Sequence, residues 1–152
     1  MTEEEVREFF ESVRKVRAER DVLAAERAEV LRDMSEAKGM DYERPRGTSS
    51  SGADLSQTLE RIYARCDLLD KKLAKTLDRL TRLRKEAYAL IALCPDAMQR
   101  ILLYDYYLHG KSWDEIRKER HYGRSQPFEI VKQAFYEISK RADSIGLEKV
   151  VK

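Results

Sequence analysis

The stretch LERIYARCDLLDKKLAKTLDRLTRLRKEAYAL, residues 59–90, decides which fold the sequence predicts. Ten of its positions recur at alternating spacings of three and four, and nine of these are apolar or nearly so. They are Leu59, Ile62, Cys66, Leu69, Leu73, Thr76, Leu80, Leu83, Ala87 and Leu90. This heptad pattern predicts a helix with the seam of a left-handed coiled coil. At about 1.5 Å per residue, a helix over residues 54–94 would be roughly 60 Å long.

The first segment, residues 1–38, repeats this spacing less regularly. Its seam consists of Val6, Phe9, Val13, Val16, Arg20, Leu23, Arg27, Val30 and Met34. Arg20 and Arg27 interrupt the seam, and a charged seam residue usually fixes register or partner at some cost in stability. Residues 1–38 have a net charge of −3 and residues 54–94 a net charge of +3. Opposite charges predict that the two segments pair, either as a hairpin within one chain or as a coiled coil between chains. We expect a homodimer that forms through these heptad helices.

Glycine and proline divide the chain into segments. Both long segments lack them, whereas Gly39 and the stretch PRGTSSSG occupy the middle of the chain and the remaining glycines and prolines follow Cys94. Because these residues interrupt helices, the sequence predicts two long helices and only short ones afterwards. The predicted segments are an N-terminal helix (1–38), a flexible loop (39–53), a heptad helix (54–94), a small domain (95–145) and a tail (146–152).

Composition excludes several classes of protein. Lys and Arg number 30 and Asp and Glu 28, a net charge of +2, so a nucleic-acid contact has to come from a local patch. The longest apolar run is too short for a membrane span, and we expect a cytoplasmic protein. With two cysteines, two histidines and no nucleotide or protease motif, the sequence predicts no metal, no cofactor and no enzyme activity.

Two short helices are predicted directly after Pro95. The first covers residues 96–108 and ends at Gly110, a residue suited to a helix C-terminus. The second opens with Ser112, which caps the helix while Glu115 reaches back from three residues later. This second helix ends near Arg120.

A third helix follows a tight turn. Gly123 is expected to take a positive φ in that turn. The helix is predicted to begin near Arg124 or Ser125 and to end near Arg141, because Pro127 is tolerated only in a first turn. Its inner face is predicted to consist of Ile130, Ala134, Phe135 and Ile138.

A short helix, a turn with glycine and a second amphipathic helix are typical of a helix-turn-helix motif. In that motif the start of the second helix contacts base edges in the major groove of double-stranded DNA. The predicted base contacts are Arg124, Ser125, Gln126, Glu129 and Lys132. Residues 117–141 hold seven basic and three acidic side chains, a patch suited to phosphates. Predicted phosphate contacts in this patch are Lys118, Arg120 and His121.

The stretch 101–138 resembles the sigma-factor region-four-like domain of phage and prophage regulators of the ArpU/RinA type. The residues that carry the resemblance are Tyr107, Gly110, Ser112, Trp113, Glu115 and Ile116. It implies an activator of late genes that contacts duplex DNA and bacterial RNA polymerase. It also implies that Lys111 and Ser112 contact phosphates. The chain departs from the family pattern at Arg117, where a small residue is usual.

Two other functions fit the same sequence. A DNA-packaging protein similar to a terminase small subunit also combines a helix-turn-helix with oligomerising helices, and it would form ring-like oligomers. A structural coiled-coil adaptor would use the same long helices without any specific DNA contact.

Overall fold

The computed structural model describes residues 1–43 and 51–145, and this part of the chain is all-α without a strand. Its elements are α1 (Glu3–Glu43), α2 (Ser51–Ile91), α3 (Ala97–Leu103) with a π-helical turn (Tyr104–Leu108), α4 (Trp113–Arg120) and α5 (Gln126–Ile145). The predicted fold class, two long helices followed by three short ones, is confirmed.

Helices α1 and α2 pack as a hairpin within one chain. All nineteen predicted seam positions of the two helices are buried or half-buried. The Arg27 guanidinium pairs with the Asp70 carboxylate, and the Lys38 ammonium lies 6.0 Å from the centroid of the Tyr63 ring. A later residue of α1 thus meets an earlier residue of α2, as antiparallel packing requires. One of the two interrupting arginines, Arg27, therefore joins the helices through an ion pair.

The loop predicted at residues 39–53 is too long at both ends. α1 continues through Gly39 to Glu43, and α2 begins at Ser51. A single glycine inside a helix costs only about 1 kcal/mol relative to alanine, which is too little to end a long helix. The rest of the predicted loop, residues 44–50, and the predicted tail lie outside the described residues.

The chain divides into two compact units, and their limits differ from the predicted segments. The first unit consists of Met1–Ala18 and the chain from Asp78 onward, and the second consists of Glu19–Leu77. The difference arises because the start of α1 and the end of α2 share one core with the short helices. In the second unit, Val30, Ala37 and Leu69 are buried.

Phe10 occupies the centre of the core of the first unit. Its side chain is fully buried, and its ring stacks on Phe135 of α5 at a centroid distance of 5.8 Å. The ring of Tyr107, in the π-helical turn, lies 5.5 Å from it. The heptad pattern instead predicts the neighbouring Phe9 as the seam residue, and Phe9 is only half-buried. Other fully buried large side chains of this core are Leu80, Leu90, Ile91, Leu102, Leu103, Leu108, Ile116 and Ile138.

Candidate DNA interface

Helix α4 begins at the predicted cap. The Ser112 hydroxyl oxygen accepts a hydrogen bond from the backbone N–H of Glu115 at 3.2 Å, which satisfies an otherwise unpaired donor of the first turn. Of the predicted capping box, the structure forms this half. A complete box stands at the start of α1, where the Glu5 N–H donates to the Thr2 hydroxyl and the Thr2 N–H donates to the Glu5 carboxylate.

His121, rather than Gly123, makes the turn between α4 and α5. His121 has a φ of 58° and a ψ of 42°, in the left-handed region, and Gly110 is the one glycine with positive φ in the described residues. The N–H groups of His121 and Tyr122 both donate to the Arg117 carbonyl. The prediction for Gly123 is therefore wrong. The residue directly after α4 caps the end of the helix in the left-handed conformation, and histidine tolerates that conformation better than most side chains.

Helix α5 begins one or two residues later than predicted, at Gln126, and extends to Ile145. Pro127 lies in the first turn of α5, where proline suits the helix backbone, and its side chain is buried. The side chains of the inner face are buried, apart from a half-buried Ile130; they are Pro127, Val131, Ala134, Phe135, Ile138 and Ala142. This face packs on α3, so the opposite face of α5 points outward.

The outward face of α5 and the turn before it carry the five predicted base contacts. All five side chains are exposed: Arg124, Ser125, Gln126, Glu129 and Lys132. Gln133 and Tyr136 are exposed as well, one turn or more further along the same face. Sequence reasoning missed these two, although spacings of three and four from Glu129 and Lys132 would have found them. Arginine, glutamine and glutamate offer hydrogen bonds to guanine, adenine and cytosine respectively.

The predicted phosphate contacts fall into two groups. Lys118 and His121 are exposed, and neither has an ion-pair partner among the described residues. Lys111 and Arg120 are half-buried and bound by carboxylates of the chain itself. Ser112 is exposed, and its hydroxyl oxygen caps α4. The five residues thus lie at both ends of α4 and along it, and carboxylates of the chain engage two of the cations, Lys111 and Arg120.

Asp105 in the π-helical turn and Glu119 in α4 are the carboxylates that hold these cations. Asp105 is 5% exposed, and its side chain accepts a hydrogen bond from Arg120 at 3.0 Å. The Lys111 ammonium lies 3.9 Å away and donates to Glu119 at 2.8 Å. The Glu119 hydrogen bond raises the pKa of Lys111, and the same bond lowers the pKa of Glu119. A buried carboxylate needs such partners, so we assign Lys111 and Arg120 mainly to the fold.

Two arginines of α1 lie against the turn before α4, and one of them, Arg14, donates hydrogen bonds to it. The Arg14 guanidinium donates to the Tyr106 carbonyl at 2.6 Å and to the Lys111 carbonyl at 3.3 Å. It also lies 3.8 Å from the centroid of the Tyr106 ring. Gly110, with a φ of 71°, leaves room for Arg17: a Cβ there would lie 1.8 Å from a guanidinium nitrogen. These contacts join residues more than ninety positions apart, so no local pattern in the sequence predicts them.

Arg117, the departure from the family pattern, lies beside the aromatic side chains that join α4 and α5. Its guanidinium pairs with Asp114 at 3.1 Å and lies 5.5 Å from the Phe128 ring centroid. Trp113 meets Phe128 edge to face at 5.1 Å and stacks on Tyr106 at 4.0 Å. Because the charged end of Arg117 lies against a ring and a carboxylate, its long side chain fits where a small residue is usual.

Neither a metal site nor a membrane-spanning helix accompanies this geometry in the described residues. Within the described ranges, no three His, Cys, Asp or Glu side chains are grouped so that they would hold a metal ion. The same ranges contain no helix with the length and apolar character needed to cross a bilayer.

No family model matches the chain, and neither a curated protein nor a solved structure matches it.

Proposed function

We propose that this protein is a sequence-specific regulator of transcription that binds duplex DNA. The observation that supports this best is the outward face of α5, whose first turns expose side chains that pair with base edges. α4, the turn at His121 and α5 are arranged in the order of a helix-turn-helix motif. The start of α5 is the part that such a motif places in the major groove.

The distribution of free and paired charges supports the proposal. Within residues 117–141, three arginines are bound by Asp114, Asp105 and Glu137. The remaining basic side chains have no ion-pair partner among the described residues and are exposed; they are Lys118, Arg124, Lys132 and Lys140. Unpaired cations beside base-reading groups supply the salt-dependent affinity of DNA-binding proteins.

The finer assignments rest on the resemblance at residues 101–138. That resemblance is the reason to propose a phage or prophage regulator that activates late genes together with bacterial RNA polymerase. The homodimer through the heptad helices also stays a proposal, because pairing within the chain leaves eleven of the nineteen seam positions only half-buried. Light scattering distinguishes a homodimer from a monomer and from the ring of a packaging protein.

The test is selection of bound duplexes from a random pool, followed by affinity measurements on the selected site. We expect an enriched site, and we expect Arg124→Ala and Gln126→Ala each to weaken its binding about 5- to 150-fold, since a base contact contributes about 1–3 kcal/mol. Binding to unrelated duplexes should change much less. Gln57→Ala, which removes an exposed glutamine of α2, is the matched control and should leave the affinity unchanged.

Replacement of a predicted phosphate contact should affect binding differently from replacement of a base contact. Lys118→Ala should weaken binding to all duplexes alike and should lower the slope of log affinity against log salt by about 0.9. If the pool yields no enriched site, or if both α5 variants bind the selected site as tightly as the unaltered protein, the chain is not a sequence-specific regulator.

A further inference from the structure

A cavity of about 380 Å³ opens within the first unit, beside the candidate DNA interface. Its walls come from the start of α1, from the π-helical turn, from Trp113 at the start of α4 and from α5. The volume lies within the range of sites for small organic molecules, about 300–1,000 Å³. The cavity shares one side chain, Lys132, with the candidate DNA interface.

Aromatic rings form most of the wall. Tyr106, Trp113 and Phe128 succeed one another along it, and each ring is fixed by the next: Tyr106 stacks on Trp113 at 4.0 Å, and Trp113 meets Phe128 at 5.1 Å. Tyr107 and Phe135 line the cavity as well, with their rings 5.9 Å apart. Trp113 and Arg14 cover the two faces of Tyr106, whereas Trp113 is half-buried and Phe128 is exposed, so these two rings offer the aromatic surface that a flat molecule would contact.

The charged side chains at the cavity favour an anion. Arg7 of α1 and Lys132 of α5 are exposed, and neither has an ion-pair partner among the described residues. The single carboxylate at the cavity is that of Glu11, which is half-buried. Two cations therefore outnumber one carboxylate. Burial raises the pKa of Tyr107, so its phenol stays protonated and is able to donate a hydrogen bond.

We propose that this cavity binds a small organic anion that carries a flat ring system. The ring lies against Trp113 and Phe128, and the anionic group pairs with Arg7 and Lys132. A flat uncharged molecule would leave both cations without a counter-ion, and a cation would be repelled by them. The proposal does not depend on DNA binding, because the cavity is formed in the chain alone.

Trp113 allows the site to be observed directly, because it is the one tryptophan of the chain. The probe is anilinonaphthalene sulfonate, an anion with a flat naphthalene ring system that accepts excitation energy from a nearby tryptophan. We expect saturable energy transfer from Trp113 with one probe bound per chain. Phenylnaphthylamine has the same rings without the sulfonate, and we expect it to bind at least about fivefold more weakly.

Variants at the charged positions separate this site from general binding to apolar surface. Lys132→Ala and Arg7→Ala should each weaken binding of the sulfonate about fivefold, whereas Glu11→Gln should strengthen it. Lys140→Ala is the matched control, because it removes an exposed lysine of α5 that does not line the cavity. We expect the Lys140→Ala variant to bind the sulfonate as tightly as the unaltered protein. All measurements are made without DNA, so that their failure is distinct from failure of the proposed function.

Three results would overturn the proposal. One is energy transfer that does not saturate. Another is equal affinity for the sulfonate and the uncharged probe. The third is an equal effect of Lys132→Ala and Lys140→Ala, since the cavity contains only the first of these side chains.

Discussion

Replacement of Phe10 by alanine tests whether the start of α1 belongs to the core that supports α5. The Phe10 side chain is 0% exposed, and its ring contacts the rings of Tyr107 and Phe135. Full burial of such a side chain contributes about 1.5–3 kcal/mol, and the cavity left by its removal adds to the loss. Substitutions of this kind cost about 3–5 kcal/mol, and the ring contacts with Phe9, Tyr107 and Phe135 place Phe10→Ala in the upper half of that range.

Unfolding in urea, followed by the fluorescence of Trp113, measures this loss in the first unit. We expect a loss of about 4 kcal/mol in the free energy of unfolding and a fall in Tm of about 10 °C. Tyr136→Ala is the matched control, because its aromatic ring is 45% exposed on α5, and it should cost about 1 kcal/mol or less. If Phe10→Ala costs no more than Tyr136→Ala, α1 is not part of this core.

Three further predictions concern single groups. Gly110→Ala should destabilise the first unit by about 1–2 kcal/mol, because the residue has a positive φ and an added Cβ would displace the guanidinium end of Arg17. Burial raises the pKa of Cys94 to about 11, so a thiol reagent near neutral pH should label the half-buried Cys66 and should reach Cys94 only after unfolding. The ion pair of Lys111 and Glu119 lowers the pKa of the carboxyl and raises that of the ammonium. Its contribution to stability should be lost as the pH falls through the Glu119 pKa and also as the pH rises through the Lys111 pKa, as urea midpoints would show.

Each of these predictions has a control within the chain. Gly123→Ala should be nearly neutral, because no positive φ is required there and no atom lies within 4 Å of the added Cβ. Equal losses for Gly110→Ala and Gly123→Ala would contradict the role of the first glycine. Rapid labelling of two thiols in the native protein would contradict the burial of Cys94. Glu119→Gln should remove the acid part of the pH dependence, and an unchanged profile would show that the ion pair does not contribute.

Features that depend on neighbouring residues can be predicted from the sequence, whereas contacts between residues far apart in the chain cannot. The heptad seams, the Ser112 cap and the exposed start of α5 follow from spacing within single helices, and the structure places them as expected. The position of Arg14 against the Tyr106 carbonyl does not, because it depends on how α1 packs. The π-helical turn, which brings Asp105 to Arg120, was also missed.

The turn after α4 shows a second kind of limit. Glycine is the usual left-handed residue, so the sequence favours Gly123, whereas the hydrogen bonds at the end of α4 require His121 in that conformation. The choice between pairing within a chain and pairing between chains was open for a similar reason. Heptad periodicity describes one helix and does not identify its partner.

A photocrosslinking amino acid placed at position 126 tests the central claim, contact between the outward face of α5 and duplex DNA, most directly. A second protein carries it at position 98, where Met98 is exposed on α3, the helix that covers the inner face of α5. With the selected duplex, position 126 should crosslink to bases within the site and position 98 should not crosslink. Crosslinks of equal yield from both positions, or none from position 126 while the duplex is bound, would contradict the claim.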